Sequence, residues 1–183
     1  MALKKTSDTI AISTLVEQGT VNAFEVNQID LQLNPLDNEV FVVTAVVIDF
    51  LGAMPIPSLS SPASFFLNAE VGLTTTRPTT MPTLGNNNCF GYSSRAITYG
   101  VGDFAGNNEL AACAVFENNA NDVPDSMLDY VAIVATSDYF ISIDSSGYAT
   151  GNTQDVAVRI YGHRAKADAA TYAALVQSEV LSS

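Results

Sequence analysis

The feature that most constrains this chain is a succession of short β-rich segments, each closed off by turn-forming residues. Residues 39–51 are the clearest. They hold Val40, Phe41, Val42, Val43, Val46, Val47 and Ile48, a density of β-branched side chains that predicts a central strand buried on both faces. Val156, Val158 and Ile160 alternate with period two and predict the last strand, one face in and one face out. Further strands are expected at residues 9–16, 65–73, 92–101 and 110–117. Residues 130–136 and 139–144 read as two strands or one bent strand. In residues 22–33 the apolar positions change phase near Asn27 and Gln28, which predicts a β-bulge.

The connections fit this reading. Residues 52–64 carry Gly52, Pro55, Pro57 and Pro62 among serines, and residues 74–91 and 117–129 are rich in Thr, Pro, Asn and Asp. Loops of such length are uncommon inside a domain unless they make contacts. The glycines of residues 100–106 have the wrong spacing for a dinucleotide fingerprint and no helix behind them, so they read as a turn between strands. Only the C-terminus looks helical: Tyr172, Leu175, Val176 and Val180 share one helical face behind Asp168, a natural N-cap. The 183 residues fit a single domain, 1–183, with an N-terminal arm at 1–8 and a C-terminal helical extension at 168–183. The expected fold is an all-β antiparallel sandwich of about eight strands, a jelly roll or a related Greek key, with one short C-terminal helix.

Charge narrows the partners. The net charge is −12, and charged residues make up 14% of the chain against about 25% in typical domains. Residues 6–158 contain two basic residues, Arg77 and Arg95, against seventeen acidic ones. Nucleic acid is therefore not expected as a direct partner, because counterion release needs clustered cations. Lys4 and Lys5 at one end and Arg159, Arg164 and Lys166 near the other leave an acidic body with weakly basic ends, which can meet between subunits. A surface poor in charge and rich in Ser, Thr, Asn and Ala suits a protein covered by copies of itself. No apolar run approaches the roughly 20 residues of a membrane span, and the start shows no secretory signal.

No catalytic motif stands out. His163 is the one histidine, without a nucleophile elbow or a His-Glu-x-x-His run to join it. It is expected to be structural, and the chain is expected not to be an enzyme. Cys89 and Cys113 could pair, but Cys113 lies in an apolar run and reads as a buried hydrophobe. No cofactor is expected. The one metal candidate is calcium on Asp122, Asp125 and Asp129, in a loop of hard oxygen ligands without EF-hand spacing; the plainer reading is a solvated loop with Asx-turns.

The short basic segment of residues 1–5, the strand series from Thr9 to Ile160 and the C-terminal extension together resemble the single jelly-roll coat proteins of small icosahedral viruses and phages. The resemblance implies a self-assembling capsid subunit of a virion, with itself and other virion proteins as partners. Lacking a long Arg/Lys arm, such a subunit would not grip a genome directly. Residues 1–8 and 168–183 are expected on neighbouring subunits: Lys4 and Lys5 would meet carboxylates of an acidic neighbour, and the helix built on Tyr172, Leu175, Val176 and Val180 is too short to persist in water alone. A carbohydrate- or ligand-binding β-sandwich, extracellular or on a cell surface, with calcium at the Asp122–Asp129 loop, is the alternative; the lack of Trp counts against it.

Overall fold

The β-branched runs form strands. A computed structural model describes residues 3–52, 64–104, 107–118, 129–148 and 152–181. In chain order the strands are β1 (Leu3–Lys5), β2 (Ile10–Val16), β3 (Glu25–Asp30), β4 (Glu39–Leu51), β5 (Ser64–Thr74), β6 (Cys89–Phe104), β7 (Asn107–Asn118), β8 (Ala132–Val134), β9 (Asp138–Ser146) and β10 (Asp155–Ala167), followed by helix α1 (Ala169–Leu181). A 3₁₀ turn, Pro35–Asp37, precedes β4.

Every strand pair is antiparallel. In the first sheet β10 pairs with β4 along one side, β1 and β2 share its other side, and β8 pairs with β4. The second sheet has the order β3-β9-β5-β6-β7. Setting aside the short β1 and the added β7, the two sheets contain β2-β10-β4-β8 and β3-β9-β5-β6. That is the strand order of a jelly roll, in which the chain switches sheets at nearly every connection.

The facing sides fill one core. Val43, Val46, Ile48, Val156, Val158 and Ile160 from the first sheet meet Val71, Leu73, Tyr139, Ile141 and Ile143 from the second. Phe90 meets Tyr139 edge to face, with ring centroids 6.2 Å apart. At one end of the sandwich a buried polar network replaces apolar packing. Ser145 Oγ donates to Gln18 Oε1 at 2.8 Å, Tyr148 OH donates to Gln154 Oε1 at 3.1 Å, and Gln154 Nε2 donates to Leu51 O at 2.7 Å. Asn22 and Tyr148 bond reciprocally through Asn22 Nδ2 to Tyr148 O and Tyr148 N to Asn22 Oδ1, both 2.8 Å. These bonds tie the β2–β3 and β9–β10 connections to the end of β4, and satisfied buried networks of this kind rigidify what they join.

Several expectations need correcting. β3 runs in unbroken register with β9, so there is no bulge at Asn27 and Gln28. The change of phase arises because the strand ends at Asp30 and the chain turns through Gln32, whose φ is +52°, carrying Leu31 and Leu33 into the core. A bulge does lie between β4 and β10: Tyr161 stands opposite Ala45 and Gly162 opposite Val43, leaving Thr44 as the extra residue. A Cβ on Gly162 would fall 2.4 Å from Val42 O, so the close approach admits only glycine. Residues 130–136 and 138–146 contain two strands in different sheets, not one bent strand.

Candidate interaction surfaces

α1 begins as the sequence suggests. Asp168 Oδ1 accepts from Thr171 N at 2.9 Å and its Oδ2 accepts from Thr171 Oγ1 at 2.8 Å, the bonds of an N-cap. These bonds hold the Asp168 carboxyl below the usual carboxylate range. Where the helix goes differs from expectation. Tyr172, Leu175 and Val176 pack on the chain's own first sheet, over Val40, Val42, Ala135, Ala165 and Ala167, with Leu3 and Ile133 beside them. β1 likewise pairs with its own β10, Lys4 opposite Lys166 and Lys5 opposite Ala165. The expectation that residues 1–8 and 168–183 lie on neighbours is therefore corrected for β1 and α1, while residues 1, 2, 182 and 183 lie outside the described residues. The physical reason is that the first half of β4 is apolar on both faces, and its outer face needs a cover from the same chain. Lys4, Lys5 and Val180 remain exposed.

The residue that fastens the helix is one that periodicity did not single out. Glu179 lies buried, accepting from Ala135 N at 2.8 Å and Thr136 N at 2.9 Å. Burial pushes its carboxyl above the usual range, while those same bonds pull it down. The available signal was an acid on the apolar stripe, four residues after Leu175 and three after Val176. Beside it a cavity of about 490 Å³ is lined by Thr75, Asn88, Cys89, Ile133, Leu175 and Glu179. Cys89 carries a free thiol that donates to Gly91 O at 3.4 Å, so it does not pair with Cys113. Burial raises its pKa, which disfavours a nucleophilic thiolate.

His163 sits inside β10 opposite Val42. Burial first, and the Lys5 charge second, hold it below the usual histidine range. Asp122 and Asp125 lie outside the described residues, and Asp129 is exposed. Among the described residues no three His, Cys, Asp or Glu side chains gather as a metal-holding group. On the outer face of the second sheet Glu70 stands directly opposite Asp144, and Tyr92 OH donates to Glu70 Oε1 at 3.0 Å. Burial, and then Glu70, raise the Asp144 carboxyl above its usual range.

The remaining surface is defined by where the first sheet stops. β8 pairs only with residues 41–43 of β4, so among the described residues the stretch 44–51 has no strand neighbour on that side. The second sheet continues there through β6 and β7. A groove of about 520 Å³ lies between them, lined by Val47, Asp49, Phe50, Gly52, Arg95 and Glu117. Arg95 Nε pairs with Glu117 Oε1 at 2.9 Å across β6 and β7. Leu67, Ile97 and Val115 stand in register on the inner face, yet only Leu67 is buried; Val115 is 54% exposed. On the outer face Phe66 is 55% and Phe116 61% exposed. Leu15, Val47 and Leu51 add exposed apolar surface on the first sheet, and Leu15 and Val47 line a shallow concavity of about 410 Å³ together with Arg159, whose Nε donates to Ser13 Oγ at 2.8 Å. Several large apolar side chains thus stand in water on both outer faces of the sandwich and beside the open stretch of β4, surface of the kind expected of interaction regions. No protein-family model matches the sequence, and no curated protein is significantly similar to it.

Proposed function

We propose that this chain is a structural subunit that associates with copies of itself to build a shell, as the coat subunit of a virion does. The observation that carries the reading is the amount of large apolar surface left exposed on a jelly-roll sandwich unusually poor in charge. Val115 is exposed where the first sheet stops short, Val47 and Leu51 on the outer face of the first sheet and Phe66 and Phe116 on the outer face of the second, and an isolated domain gains nothing by leaving them wet. The fold itself is compatible with coats, lectins and other proteins, so the surface decides.

The role is structural, not catalytic, and it needs no cofactor. Direct contact with nucleic acid is not part of it: Arg95, Arg164 and Lys166 are engaged by Glu117, Glu39 and Asp37. Among the described residues no helix is long and apolar enough to cross a membrane. Light scattering on the purified chain tests the reading. Assemblies many times the 19.3 kDa subunit mass are expected at micromolar concentration; a sharp monomer peak across that range contradicts it.

A further inference from the structure

We propose that two copies of the chain meet edge to edge along residues 112–118 of β7, related by a two-fold axis. This rests on the self-assembly reading and names one of its contacts.

The argument comes from comparing the edges of the two sheets. Proteins protect exposed strand edges with charges, prolines, bulges or brevity, because unpaired N–H and C=O groups are a template for another strand. The β1–β2 edge carries Lys4 and Lys5. β3 has an acid at each end, Glu25 and Asp30. β8 is three residues long. The open stretch of β4 is recessed, because β6 and β7 reach past it in the other sheet. β7 itself is divided. Gly100 pairs with Ala112 and Val101 with Leu110, so Ala111 forms a bulge, and Glu109 follows it toward the hairpin end. From Ala112 to Asn118 there is no proline, no bulge and no unpaired charge. The segment Ala-Cys-Ala-Val-Phe-Glu-Asn is proline-free and in even register with β6, and its single charge, Glu117, is already neutralised by Arg95. Seven residues at about 3.4 Å per residue make a seam of about 24 Å.

Charge selects the occupant. A chain of net charge −12 would repel its copy at most surfaces, and a basic foreign strand would be drawn to unpaired acids. This seam offers no unpaired acid, so the matching edge is another neutral one. β7 supplies it. A two-fold axis makes a strand edge complementary to itself, since residue i faces j and j faces i. With the axis at Val115, Glu117 faces Cys113 of the copy and Phe116 faces Ala114, so no acid opposes an acid and a large side chain meets a small one. Val115 meets its own copy on the inner face, and Phe66 and Phe116 extend the apolar outer face up to the seam.

The test uses the full chain with Val115→Lys and Phe116→Lys, singly and together, and Leu84→Lys in an exposed loop as control. Mass is read by light scattering and fold by circular dichroism. Hydrogen exchange of residues 112–118 in the wild type is followed with dilution, so that the proposal stays testable should the lysine variants misfold. The expected result is a shift of at least tenfold in the concentration needed for assembly in the double variant, with the control unchanged. Exchange at 112–118 is expected to accelerate as the wild type is diluted. A wild type that assembles while the double variant assembles equally well, or whose exchange at 112–118 ignores concentration, overturns this contact and leaves the self-assembly reading standing. A wild type that is monomeric throughout removes both.

Discussion

Replacing Glu179 with alanine removes the carboxylate that joins α1 to the corner between β8 and β9. Two backbone donors, Ala135 N and Thr136 N, lose an acceptor at 2.8 and 2.9 Å. Each hydrogen bond to a charged group contributes about 1.5–3 kcal/mol, so the pair represents about 3–6 kcal/mol before any offset. The offset is desolvation: burial raises the Glu179 carboxyl, and alanine escapes that cost. Thr136 N also lies at the margin, where water can replace the lost acceptor. The net loss expected therefore falls at or below the bottom of that range, about 2–3 kcal/mol, or a melting temperature lowered by about 5–10 °C for a chain of this size. Urea unfolding followed by circular dichroism measures it, with the slope against denaturant unchanged. Glu179→Gln keeps one acceptor and sets its amide against the second donor, so it should fall between wild type and alanine. The pH dependence has a definite sign. The carboxyl titrates higher in the fold than unfolded, so this group favours the fold increasingly as pH falls through the raised value toward the ordinary carboxylate range, and its contribution declines as pH rises again. An alanine variant within about 0.5 kcal/mol of wild type would show that the helix is held by Tyr172, Leu175 and Val176 alone and refute the reasoning.

Other consequences are simpler. Removing residues 168–183 uncovers Val40, Val42, Ala165 and Ala167, and should give a chain that melts at markedly lower temperature or aggregates, read by differential scanning fluorimetry and solubility; a truncated chain as stable as the whole would return the helix to a neighbour. Asp144→Asn should stabilise the fold near neutral pH by about 0.5–1 kcal/mol, because it relieves a carboxylate set directly opposite Glu70. That gain should shrink as pH falls through the raised Asp144 value, where the wild type protonates; a gain constant with pH contradicts the acid-pair reading. His163→Ala should change stability by no more than about 0.5 kcal/mol in a urea titration, since His163 is only half-buried and bonds to no described acid.

The strands were legible where one physical cause acts alone. Val156, Val158 and Ile160 alternate because one face of β10 meets the core, and 40–43 are uniformly apolar because α1 covers the other face. Legibility fell where two causes overlap. The apolar phase change in residues 22–33 looks the same whether a bulge or a strand end followed by a left-handed residue produces it; Gln32 shows it is the second. The length of β8 depends on how far the preceding segment follows β4, which no local pattern encodes. Glu179 was hidden because an acid on an apolar stripe reads as a helix surface until its acceptor role is placed against Ala135 and Thr136. The open side of the sandwich is a tertiary fact: Val115 looks like a core residue in sequence and is surface because, among the described residues, no first-sheet strand lies over it, while Phe116 is surface because it points from the outer face of the second sheet.

Negative-stain electron microscopy of the purified full-length chain at micromolar concentration tests the central claim most directly. The account predicts closed particles of uniform size in the wild type and their loss in the Val115→Lys, Phe116→Lys double variant. A field of single, uniformly small monomers in the wild type would contradict the claim that this chain builds a shell.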